Sequence, residues 1–240
     1  MKQISSPSPS GATAKCRKPV GRPRSDGRAH LTRERVFRVC SKLIAKHGYA
    51  GTGIRTMASA LQASPASLFN LFGSKDGLLS ELITYAAQPS LEFYKELEKE
   101  DATPTVKLFK IIYEEVIAVA SADQDYAALF YLPELRKPEL KAAQEIRCSM
   151  IAHYQNLIVL GVAAGELTTE NVALSAEQIF QLTETSIIGG PAMKKIKPKE
   201  LASLTAKFCL RSLLIEPGRL RSLESKALKI DLRIELPNPQ

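Results

Sequence analysis

From Leu31 onward, apolar and polar positions follow a helical period. Val36, Cys40, Leu43, Ile44 and His47 recur at three- and four-residue steps, Thr32 stands at the N-cap position, and Leu31 and Val36 are spaced as a hydrophobic staple. Gly48 follows as a C-terminal glycine able to take positive φ, with Tyr49 placed to pack back on Ile44. Thr52 is the next expected N-cap, opening two turns whose apolar positions are Ile54, Met57, Ala58 and Leu61. Ser64-Pro65 pairs an N-cap with a first-turn proline, and the segment from Pro65 to Phe72 sends Leu68, Leu71 and Phe72 inward while Ser67 and Asn70 face away. Gly73 ends that helix. Ser74 caps a fourth, with Leu78, Leu79, Leu82, Ile83 and Tyr85 on a broad apolar face that Pro89 should break or kink near Gln88. Two short helices across a tight turn, covered by a longer one, have the organisation of a helix-turn-helix unit. An ordinary three-helix piece of a core would carry the same caps, but would not account for the basic segment upstream.

Beyond this unit the pattern predicts helices over residues 91–100, 104–121, 124–136, 138–162, 170–188 and 198–215, separated by Gly165, Gly189-Gly190-Pro191 and Pro217-Gly218. The last two carry wide apolar faces: Val172, Ile179, Phe180, Leu182, Ile187 and Ile188 on one, Leu201, Leu204, Phe208, Leu210, Leu213, Leu214 and Ile215 on the other. Either they are buried core or they pair with a second subunit. The second is the expectation, a homodimer with Ile179, Leu182, Leu204 and Phe208 at its interface. Residues 228–236 alternate apolar and charged side chains without a fault, a strand period; such a segment must pair, clasp the body or remain a tail. The expected fold is all-α. It comprises a basic arm (1–30), a helix-turn-helix domain (31–76), a helical ligand-binding and dimerisation domain (77–216) and a C-terminal extension (217–240).

Composition narrows the function. Apolar residues make up 45% of the chain, yet no run approaches the ~18 residues a membrane span requires, so no membrane partner is expected. The first 30 residues, rich in Ser, Pro, Gly, Lys and Arg, lack the apolar segment of a secretory signal. Cys16, Cys40, Cys148 and Cys209 form no CxxC pair, and a reducing cytoplasm is the expected compartment. Residues 1–35 carry a net charge of +7 out of +8 for the whole chain. A basic arm on a nearly neutral body points to a polyanion partner; a solvated tail is the alternative. His30, His47 and His153 make no ligand pair at helical spacing, so no metal or other cofactor is expected. The glycine clusters at residues 48–53 and 73–75 complete no phosphate-loop motif. Glu114, Glu115 and Glu134 read as solvated helix faces, and no enzyme is expected.

Residues 33–83 resemble the N-terminal domain of TetR-family transcriptional regulators. The matching positions are His47-Gly48-Tyr49, Thr52, Met57-Ala58, Ser64, Leu68-Phe69, Phe72 and Lys75, and residues 161–167, GVAAGEL, resemble the link between the seventh and eighth helices of such proteins. Three positions depart from the pattern. Gln62 replaces the usual glycine of the turn, which must therefore tolerate a non-glycine residue or carry strain. Phe69 replaces a frequent tyrosine, and Leu71 a common histidine. In the arm, Lys18 to Arg24 resembles an AT-hook core, in which Gly21, Arg22 and Pro23 would lay an extended arginine into a narrow minor groove.

The resemblance implies a sequence-specific regulator, a ligand-responsive repressor, binding a double-stranded operator and an unidentified small-molecule effector. A helical enzyme acting on small molecules and a non-specific DNA-architectural protein are the alternatives. The segment from Ser64 to Phe72 contains no Lys or Arg, so base reading falls to Asn70, Ser64, Ser67 and Gln62, with Phe69 beside them. Thr52, Arg55 and Lys75 are candidates for phosphate, and Arg22 and Arg24 for the minor groove. The family's enclosed pocket draws attention to Phe109, Tyr113, Phe130, Met150, His153 and Tyr154 as effector-binding candidates.

Overall fold

The Thr32 hydroxyl accepts a hydrogen bond from the Arg35 amide at 3.2 Å and opens α1 (Arg33–Gly51), as its position predicts. The computed structural model describes residues 31–122, 129, 132–138, 140–188 and 195–236, with backbone alone at 187 and 188. After α1 come α2 (Ile54–Ala60), α3 (Pro65–Phe72), α4 (Lys75–Lys99), α5 (Pro104–Ser121), α6 (Lys141–Ala163), α7 (Val172–Ile188), α8 (Pro198–Arg211) and α9 (Leu220–Ala227). Single 3-10 turns lie at Pro133–Arg136 and Pro217–Arg219. Among the described residues the only β-type pairing is an isolated antiparallel bridge between Leu167 and Leu214, so the architecture is all-α.

Two apolar cores meet along α4. Val36, Phe37, Cys40 and Ile44 of α1 pack with Met57, Leu61, Leu68, Phe72, Leu78 and Leu82 to form the helix-turn-helix core, joined by Leu129, Leu140 and Ala143 from later in the chain. The second core surrounds α5, whose Leu108, Phe109, Ile112 and Val116 are sealed by Tyr94 of α4, Tyr154 and Ile158 of α6, Phe180 of α7 and Ala206 and Leu210 of α8. Cys40 and Cys209 are buried in these cores, whereas Cys148 and His47 are exposed.

Several sequence expectations change. α4 continues through Pro89, although proline removes an amide donor and crowds the preceding turn. Buried side chains on both sides of it, Ile83, Ala86 and Ala87 before and Ser90, Phe93 and Tyr94 after, hold the helix together. Thr52 is not an N-cap. Gly53 takes that place, while Thr52 is fully buried and donates its hydroxyl to the carbonyls of Gly48 (2.8 Å) and Leu43 (3.2 Å). Most of the helix expected over 124–136 lies outside the described residues; its end is the 3-10 turn. The helix expected over 198–215 stops at Arg211, after which the Thr168 amide bonds to the Leu213 carbonyl at 2.7 Å and the Ile215 amide to the Glu166 carbonyl at 3.3 Å.

The C-terminal alternation is real but forms no strand. α9 occupies residues up to Ala227, and 231–236 run extended without a ladder among the described residues. Ile230, Leu232, Ile234 and Leu236 turn inward, Asp231, Arg233 and Glu235 outward. Ile234 is buried in the body core, and Leu236 packs against both cores. A period of two therefore marks a strap laid on an apolar surface.

Candidate DNA-binding surface and effector cavity

The recognition surface is set by how α2 ends and α3 begins. α2 closes with the Gln62 amide on the Ser59 carbonyl (3.0 Å) and the Ala63 amide on the Ala58 carbonyl (2.9 Å), a Schellman arrangement that places Gln62 at φ 55°. Gln62 thus takes the left-handed conformation the family's glycine would supply. Ser64 then caps α3, its hydroxyl accepting from the Ser67 amide at 3.1 Å and lying 2.8 Å from the Ser67 hydroxyl. Leu68 and Phe72 anchor α3 inward; Ala66, Phe69 and Asn70 are exposed on its outer face.

The flanking cations divide. Arg55 is exposed on α2. Lys75 turns inward, donating to the Tyr49 carbonyl and standing 3.9 Å over the Tyr49 ring, and its loss of solvent lowers its pKa. The Tyr49 hydroxyl donates to Asp76, so Lys75 and Asp76 together tie the end of α1 to the start of α4. Of the DNA-binding candidates, Gln62, Ser64, Phe69, Asn70 and Arg55 are therefore exposed on the α2–α3 unit, Ser67 is half-buried, Lys75 is half-buried and turned onto Tyr49, and Thr52 is removed by burial. Arg22 and Arg24 lie outside the described residues.

A cavity of about 310 Å³ opens between α4, the Pro133–Arg136 turn, α6 and α7. Ile83, Ala87, Leu135, Ile146, Met150 and Phe180 give it an apolar wall. At one side Arg147 stands 4.7 Å over the Phe180 ring and donates to Glu184 at 2.6 Å and to Glu177 at 3.1 Å. Burial raises the Glu184 pKa, and the guanidinium opposes that shift. Of the five effector candidates among the described residues only Met150 lines this cavity. Phe109 and Tyr154 are fully buried in the body core, and Tyr113 stacks on Phe109 with ring centres 6.3 Å apart. His153 pairs with Glu98 at 3.3 Å and packs on Tyr94. Phe130 lies outside the described residues. Aromatic content pointed to the core; the charged residues Arg147 and Glu184 within apolar helices were the better signal for the cavity.

Glu114 and Glu115 also correct the expectation of solvated faces. Glu114 is buried and accepts from Lys110 at 2.7 Å. Glu115 is buried and accepts from the Tyr94 hydroxyl at 2.6 Å; burial pushes its carboxyl up to about 7. An open groove of about 580 Å³ runs between α7 and α8, lined by Leu182, Leu201, Leu204 and Phe208 among others. Phe208 is 68% exposed and Leu204 50%. Ile179 departs from the expected interface: it is buried within the core of its own chain. Among the described residues no cluster of His, Cys, Asp and Glu could hold a metal ion, and no helix is long and apolar enough to cross a membrane.

Residues 39–82 match the family described as bacterial regulatory proteins, tetR family. Through this segment the chain carries a DNA-binding domain of the tetR type. The fold extends the likeness: a Mycobacterium smegmatis AmtR structure aligns over 90% of this chain and 100% of its own, with 23% identity and a TM-score of 0.66. Bacillus subtilis FadR, solved in complex with stearoyl-CoA, aligns over 75% of this chain and 99% of its own at 18% identity and a TM-score of 0.65. AibR, solved with isovaleryl coenzyme A and operator DNA, aligns over 74% and 97% at 14% identity and a TM-score of 0.63. No curated protein sequence matches the chain.

Proposed function

We propose that this TetR-family chain is a homodimeric transcriptional repressor that binds a palindromic operator through α3 and is released by a small molecule entering the cavity beside α4. The observation that carries the reading is the shared wall. Ile83 and Ala143 line the cavity and also belong to the helix-turn-helix core, and Leu132 and Leu135 pack on both. A ligand that spreads this wall moves α4, and with it the packing that orients α3. That AibR is solved with both an acyl-CoA and operator DNA, and FadR with an acyl-CoA, supports a regulator with separate effector and DNA sites. The exposed Leu182, Leu204 and Phe208 supply a self-complementary face for the second subunit. The compartment is the cytoplasm, and the chain acts by binding and not by catalysis.

Selection of bound duplexes from a random pool tests this. An inverted repeat should be enriched by the wild-type chain, and Phe208→Glu, which places a charge in the apolar groove, should sediment as a monomer and lose tight binding. A non-repeating site, or a dimeric Phe208→Glu variant, contradicts the reading. Arg22 and Arg24 are assigned to the minor groove on sequence grounds. Deleting residues 1–28 should weaken binding and flatten its salt dependence while preserving the order of preference among major-groove variants; unchanged affinity and slope would leave the arm a solvated tail.

A further inference from the structure

The geometry of α3 points to Phe69 as a specificity-determining residue that reads the 5-methyl group of a thymine in the major groove, an inference resting on α3 as the operator-reading helix. Phe69 is 63% exposed, while Leu68 and Phe72 beside it are buried. Its ring has no aromatic or cationic partner among the described residues, so it contributes nothing to the ring contacts that hold this domain, such as Phe37 with Phe72 and Tyr85. Ala66, one turn earlier, is also exposed, and Asn70 follows on the same outward face. The outward face of α3 is thus a methyl, a ring and an amide, with no cation.

That set has one natural counterpart in a DNA groove. Phenylalanine has no donor or acceptor with which to address purines or cytosine through hydrogen bonds, and no hydroxyl to place on phosphate. The thymine methyl is the apolar group on the major-groove edges of the bases, and apolar side chains recognise it by contact. Asn70 complements it, because an amide can pair with the N6 and N7 edge of adenine. The two hydroxyls at the start of α3, Ser64 and Ser67, lie 2.8 Å apart and are engaged with each other and the Ser67 amide. Phe69 and Asn70 together therefore favour A·T pairs in each half-site.

The test uses the full-length protein and the operator enriched from the random pool. Each thymine, in symmetric pairs, is replaced by deoxyuridine, which removes the methyl and nothing else. Affinity is measured for the wild type, Phe69→Ala and Phe69→Leu. One symmetric position should weaken wild-type binding about four-fold per half-site, or about fifteen-fold for the palindrome. Phe69→Ala should bind the thymine and uracil operators equally, and Phe69→Leu should retain part of the difference. The exposure of the ring means both variants should melt with the wild type. If no thymine is methyl-sensitive, or if Phe69→Ala keeps the full sensitivity, the assignment fails. A uniform loss of affinity across all operators would place the ring on the sugar-phosphate backbone and also overturn it. Failure of the pool to yield any repeated site would instead count against α3 as the reading helix.

Discussion

α3 and α5 invert the usual placement of charge. α3 has no ionisable side chain and presents Phe69 and Asn70 to solvent; α5 lies at the centre of the body and carries Lys110, Glu114 and Glu115 into it. A short uncharged helix keeps its outer face available for base edges, leaving phosphate attraction to other segments. A central helix can hold charges only where each meets a partner at once. Lys110 and Glu114 meet one turn apart on α5 itself, whereas Glu115 needs the Tyr94 hydroxyl from α4. The difference is one of pairing: the polarity of a helix locates its face only where its charges have no partner close by.

Removing half of the buried pair should break this arrangement most severely. Lys110→Met leaves Glu114 buried without its cation and should lower unfolding free energy by about 3–5 kcal/mol in chemical denaturation. Lys110→Met with Glu114→Leu should recover most of that loss, since an apolar pair of similar size needs no solvation. A single variant as stable as the wild type would show that the pair is not what holds α5 in place.

Glu115 gives the next effect, and its sign differs from that of an ordinary salt-bridged carboxylate. Burial raises its pKa from 4.5 to about 7, so the native state holds a proton that the unfolded chain has released between these values. Stability therefore falls as pH rises through this window, by up to about 3 kcal/mol, and is regained as pH drops toward 4.5. Glu115→Gln cannot ionise and should flatten this dependence: more stable than the wild type at pH 8, and close to it at pH 4.5. Parallel melting curves for the two proteins across that range would contradict the assignment.

How much of this was legible in sequence follows the range of the interactions. Thr32, Ser64 and Ser74 were readable as caps because each accepts from an amide three residues on, within the window a local pattern samples. Gly48, with φ 71°, was readable for the same reason. Thr52 was misread because its residue type suits a cap, while its actual partners include the Leu43 carbonyl, nine residues back. Glu115 and Tyr94 are 21 residues apart, and Arg147 and Glu184 are 37. Neither pairing leaves a trace in the hydrophobic period. The C-terminal extension shows the converse: the alternation from Ile230 to Leu236 identified the buried side chains correctly, but periodicity alone does not say whether a neighbouring strand or a helical surface receives them.

Gln62 provides the smallest effect and the finest separation of fold from recognition. α2 and α6 end in the same hydrogen-bond pattern: the Gly165 amide bonds to the Val162 carbonyl at 3.0 Å and the Glu166 amide to the Gly161 carbonyl at 2.9 Å, matching the bonds of Gln62 and Ala63. At α6 the left-handed position holds glycine, φ 67°; at α2 it holds glutamine, φ 55°, the one non-glycine residue with positive φ among those described. A side chain in this region costs about 1–2 kcal/mol, whereas glycine adds about 0.4–1 kcal/mol of unfolded-state entropy to be overcome. Gln62→Gly should therefore stabilise the domain by about 1 kcal/mol or less, a rise of a few degrees at most in melting temperature. If the exposed amide also touches the operator, the same variant will bind DNA more weakly despite its firmer fold, and Gln62→Asn, which tolerates positive φ and keeps a shortened amide, will lie between them. Equal affinities for all three would make Gln62 a turn residue only, leaving the proposed base readout to Phe69 and Asn70.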